Sequence, residues 1–111
     1  MIADDDIEKA LDYLRSSANE AAQARANVKY LAEFLDVKLA QIIRAMPDST
    51  SATAARNTAK ADVEYTVTLE SYKHAVEMDA RHQFKREAAS ALIDAWRTQQ
   101  STLRAEGRAY G

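Results

Sequence analysis

Residues 4–46 read DDDIEKALDYLRSSANEAAQARANVKYLAEFLDVKLAQIIRAM, and the spacing of the apolar side chains within them decides the fold. Ile7, Leu11, Leu14, Ala18, Ala21, Arg25, Val28, Ala32, Leu35, Leu39, Ile42 and Met46 recur in alternating steps of four and three. This is a heptad seam with one basic interruption, Arg25. A seven-residue repeat held over that length predicts a left-handed crossing against a partner helix. The middle of the seam is small, at Ala18, Ala21 and Ala32, so a partner can approach closely there. Tyr30, Leu31, Phe34 and Val37 add apolar surface beside it. The stripe is wider than two helices need, which predicts packing against more than one neighbour.

The helix opens at Asp4 to Asp6, where three carboxylates complement the helix dipole. Asp5 and Glu8 have capping-box spacing. That is a sufficient structural reason for the acidic cluster. Pro47 disfavours helical geometry at Met46 and stops the helix, and the serines and threonine of Asp48-Ser49-Thr50-Ser51 offer N-caps for a second helix. Residues 52–61 are alanine-rich and polar, predicting a short or frayed helix at the end of a hairpin, outside the core. Asp62 is a further N-cap candidate, opening a helix over about 63–105. In that segment Val63, Tyr65, Leu69, Tyr72, Val76, Ala80, Phe84, Ala88, Leu92, Trp96 and Leu103 follow mainly steps of four. Such a stripe drifts around the helix and holds no heptad.

The fold class is therefore all-α. A single helical domain is expected over 1–111: a helix over about 5–46, a loop at 47–51, a short helix over about 52–61, a long helix over about 63–105 and a tail at 106–111. The two long helices form an antiparallel, coiled-coil-like hairpin, each about 60 Å long at 1.5 Å per residue. A hairpin of this size buries one stripe per helix and gains little net stability. Association into an oligomeric helix bundle, a homo-oligomer, is the expected remedy.

Composition supports helix and narrows the chemistry. The 111 residues include two glycines and one proline, and both glycines, Gly107 and Gly111, lie near the C-terminus. Turn-rich β folds need more punctuation than that. There is no cysteine, hence no disulfide framework, thiol nucleophile or thiolate metal site. The acidic N-terminus lacks the basic start and apolar stretch of a signal peptide, and no apolar run approaches the ~20 residues needed to cross a bilayer. No membrane contact and residence in the cytoplasm of the host cell are the expectation.

Net charge is −2, unlike a general nucleic-acid binder. From Arg81 onward, however, six basic residues (Arg81, Lys85, Arg86, Arg97, Arg104, Arg108) face three acids (Glu87, Asp94, Glu106). Asp79 and His82 have the i, i+3 spacing used in carboxylate-bridged di-metal bundles. Such a site needs the spacing twice, and the first long helix has no histidine, so neither a metal nor a cofactor is expected. No glycine-flanked nucleophile elbow or glycine-rich phosphate loop is present. The expectation is a protein that is no enzyme and acts by binding.

The binding candidates gather at Trp96, Arg97, Arg104, Arg108 and Tyr110. Arginine and aromatic residues are over-represented at interaction hot spots, and together they suit single-stranded nucleic acid through charge and stacking. The plain alternative is that Trp96 packs in the bundle while the arginines stay solvated.

The stretch Ala95-Trp96-Arg97-Thr98-Gln99, followed by Arg104-Ala105-Glu106-Gly107-Arg108, resembles the C-terminus of small helical proteins encoded by tailed bacteriophages and prophages. Ala21-Ala22-Gln23-Ala24-Arg25-Ala26 with Tyr30-Leu31 is similar to their first helix. Those proteins often carry a proline after the aspartate matching Asp62; Val63 stands here. The resemblance implies a phage accessory protein made alongside recombination or single-strand-annealing proteins, and it carries over no catalytic residue. It implies no established activity, and two roles are weighed for the chain. One is a factor in DNA recombination or replication, contacting single-stranded DNA or a DNA-binding partner. The other is a structural or assembly protein, scaffold-like or chaperone-like, that receives another protein's helix.

Overall fold

A computed structural model describes the backbone of residues 1–110 and the side chains of residues 1–109. Four helices and no strand occur among them: α1 (Asp4–Ser16), α2 (Ala18–Arg44), α3 (Ala52–Lys60) and α4 (Val63–Tyr110). The described residues form two compact units, the first built from 1–21 with the stretch from 81 onward, the second from 22–80. None of the described residues has positive φ, so the connections need no glycine, in keeping with the composition.

In the second unit α2 and α4 form an antiparallel hairpin with α3 in its connection. As residue number rises along α2 it falls along α4: Arg25 pairs with Asp79 at 3.9 Å and Lys38 with Glu64 at 3.4 Å. After Met46, whose N–H donates to Ile43 O at 3.0 Å, Pro47 ends the helical winding. Ser51 then caps α3, its Oγ accepting from Ala54 N–H at 3.2 Å. Asp62 caps α4 in a similar way, accepting from Glu64 N–H at 2.8 Å. The break between α3 and α4 thus forms with valine, not proline, after the aspartate. Contrary to expectation α3 is not peripheral, since Ala55 and Ala59 are buried, Ala59 completely. Alanine has no bulk to hold a neighbouring helix away.

The first unit pairs α1, and the start of α2, with the later part of α4, again antiparallel. Ile2 N–H donates to Gln99 Oε1 at 3.3 Å, Trp96 Nε1–H to Asp4 Oδ1 at 3.3 Å, and Arg86 Nη1 to Leu14 O and Ser17 Oγ, each at 2.7 Å. The last of these ties marks a departure from the sequence reading. The helix expected over 5–46 is interrupted at Ser17, which lies between α1 and α2 with φ −89° and ψ −6°. The chain keeps winding, with Ser17 N–H on Tyr13 O and Ala21 N–H on Ser17 O, both at 2.9 Å. Serine hydroxyls compete for helix carbonyls, and a side chain inserted into the backbone ladder is a recognised cause of helix breaks. Ser16 Oγ on Tyr13 O and Arg86 on Leu14 O supply both effects here.

Two further expectations at the helix ends are revised. The N-cap of α1 is Ala3, with no side-chain cap, so the Asp5/Glu8 capping box does not form. Asp4, Asp5 and Asp6 instead fill the first turn, where the dipole favours them, and Asp5 pairs with Lys9 at 3.0 Å. At the other end, α4 continues through the expected tail to Tyr110. Gly107 lies inside it, and a Cβ there would meet nothing within 4 Å.

The seam keeps Ile7, Leu14, Ala21, Val28 and Leu35 as expected but takes the other alternate position of each heptad between them; beyond Leu35 it follows the expected set, with Leu39 buried and Ile42 and Met46 half-buried. On α1 and α2 the buried or half-buried positions include Ile7, Ala10, Leu14, Ser17 and Ala21 in the first unit, then Ala24, Val28, Leu31, Leu35 and Leu39 in the second. Leu11, Ala18, Arg25 and Ala32, expected inside, are exposed. The apparent basic interruption is thereby removed, because Arg25 is exposed at the edge of the seam, where it pairs with the half-buried Asp79. On α4 the inward positions are Tyr65, Thr68, Tyr72, Ala75 and Asp79, then His82, Arg86, Ala89, Ile93 and Trp96. These keep a strict heptad; of the drifting apolar stripe expected there, Tyr65, Tyr72, Ala80, Leu92 and Trp96 are half-buried and the other members face outward. Val63, Val67, Leu69, Val76, Phe84 and Leu103 are exposed.

This register predicts unequal effects for two neighbouring aliphatic truncations. Ile7→Ala removes a buried side chain and is expected to cost about 2–4 kcal/mol. Leu11→Ala, at a position 42% exposed, is expected to cost less than about 1 kcal/mol. Urea denaturation of both variants checks the order.

Candidate interaction surfaces of the last helix and of the hairpin

α4 places the C-terminal candidates on different faces. Trp96 is half-buried on the inward side and held by its indole N–H on Asp4. Arg97, Arg104 and Arg108 are exposed. Their i, i+7, i+11 spacing sets all three within an arc of about 40° at 100° per residue, along about 16 Å of helix. Trp96 stands about 100° away from Arg97 by the same geometry. The structure therefore brings the arginines together and leaves the tryptophan out of their stripe. Arg97 is further engaged by Asp94, at 3.8 Å across two well-exposed side chains. Tyr110, the remaining candidate, has a side chain outside the described residues.

The acidic start lies in the same unit as this end of α4, bound to it through Asp4 and Trp96. Between α1 and α4 runs an open groove of about 360 Å³, lined by Asp6, Lys9, Ala10, Tyr13, Ala88, Ala89 and Leu92. The small residues Ala10, Ala88 and Ala89 create it. Tyr13 lines it, and its hydroxyl is buried without a hydrogen-bond partner. Among the described residues no group of three His, Cys, Asp or Glu side chains is placed to hold a metal ion. Asp79, one half of the i, i+3 pair with His82, is engaged by Arg25.

The second unit carries a surface of another kind. On α2 the positions 23, 27, 30, 34, 37 and 41 follow steps of four and three on one side, and they hold Gln23, Asn27, Tyr30, Phe34, Val37 and Gln41. Not one of them is charged, in a chain that is 29% charged. Tyr30 is 65% and Val37 48% exposed. The Tyr30 and Phe34 rings stack with centroids 5.9 Å apart and planes 16° from parallel. Lys38 Nζ lies 5.9 Å from the Phe34 centroid, a cation–π contact, while also pairing with Glu64. Sequence spacing marks Tyr30, Leu31, Phe34 and Val37 as apolar surface beside the seam; the structure moves Leu31 into the seam, half-buries Phe34 and leaves Tyr30 and Val37 exposed. Arg86 and Ser17, by contrast, carry no such signal, because neither residue type announces a buried contact by itself.

No family model matches the chain, and neither a curated protein nor a solved structure matches it. No helix among the described residues is long and apolar enough to cross a membrane.

The Tyr13 hydroxyl gives this region a sharp test. A buried polar group without a partner costs roughly 1–3 kcal/mol. Tyr13→Phe is therefore expected to leave stability unchanged or raise it by about 1 kcal/mol, measured by urea denaturation. A loss of stability would reveal a hydrogen bond at that hydroxyl.

Proposed function

We propose that this chain is a protein-interaction module that works by binding other helices, in the manner of a small structural or assembly protein. The observation that supports this reading is the outward placement of large apolar side chains. Tyr30, Val37, Val67 and Phe84 are all between 48% and 67% exposed, while the inward positions include Thr68, Asp79, His82 and Arg86. A chain that functions alone gains from the reverse arrangement, since burial of each large apolar side chain contributes about 1.5–3 kcal/mol. Exposed apolar side chains that share one face are a feature of interaction sites, and Tyr30 and Val37 share a face of α2 seven residues apart. A homo-oligomer and a complex with a second protein both fit this reading. The resemblance of residues 95–108 to proteins of tailed phages supplies the setting we propose, an accessory protein of a phage or prophage acting in the host cytoplasm.

A second reading has one observation in its favour. The aligned stripe of Arg97, Arg104 and Arg108 is a surface that could follow a phosphate backbone, which would place the protein in DNA recombination or replication. Trp96 faces away from the stripe and its N–H is engaged, so the stacking half of single-strand recognition lacks support. Three positive charges, one of them beside Asp94, also form a small electrostatic footprint.

Fluorescence anisotropy of a labelled single-stranded oligonucleotide, with duplex DNA beside it, separates the two readings. The protein-interaction reading predicts no saturable binding at low or physiological salt. Saturable, salt-sensitive binding that weakens in Arg104→Ala and Arg108→Ala would overturn it in favour of nucleic acid.

A further inference from the structure

We draw no further inference here: the strongest candidate, the open groove between α1 and α4 lined by Ala10, Tyr13, Ala88 and Leu92, is shaped by small residues, and nothing in the structure shows what fills it.

Discussion

Arg86 is the contact on which the first unit turns. A guanidinium at an inward position of α4 must find acceptors, because an unsatisfied buried charge is costly. It finds them in Leu14 O and Ser17 Oγ, at 2.7 Å each. Both lie where α1 gives way to α2, so one side chain meets the hydrogen-bonding needs of a helix break and of its own charge. It also fixes register. Sliding α1 by a turn would leave the guanidinium against apolar side chains, so the polar contact specifies the pairing even where it adds little net stability.

Register in turn explains the choice of seam. With Arg86 on Ser17, the inward positions fall at Ile7, Ala10, Leu14, Ser17 and Ala21. Leu11 and Ala18 are rotated out. Every side chain on this inward set beyond Ile7 and Leu14 is small, which lets the helices approach and lets Arg86 reach in. The second unit follows the same logic with Ala24 and Ala75 at buried positions and with Leu35 and Leu39 as the larger buried aliphatics. Outside the seam, Tyr30, Val37, Val67 and Phe84 are left exposed.

Much of this was legible in the sequence, and the failures have a common cause. Helix content, the stop at Pro47, the short helix after Ser51 and the cap at Asp62 follow from residue chemistry that acts locally. The seam was half legible. Steps of three and four fit two interleaved sets that share Ile7, Leu14, Ala21, Val28, Leu35 and Ile42, and hydrophobicity alone favours Leu11 over Ala10 and Ala18 over Ser17. The set that forms contains Ser17, and its partner helix contains Thr68, Asp79, His82 and Arg86. Apolar periodicity cannot select polar positions such as Ser17, because what buries it is a partner 69 residues away in the chain. The binding candidates at the end of α4 illustrate the same limit: proximity in sequence grouped Trp96 with Arg97, and helical geometry set them on different faces.

The central claim is that the Arg86 contact holds this register, and a double-mutant cycle tests it directly. Arg86→Met, Ser17→Ala and the double variant would be compared by urea denaturation. The account predicts a coupling of about 1–2 kcal/mol, the range of a hydrogen bond to a charged group. Additive effects, within about 0.3 kcal/mol, would mean that Arg86 and Ser17 do not act together. The register derived from their contact would then have to be abandoned.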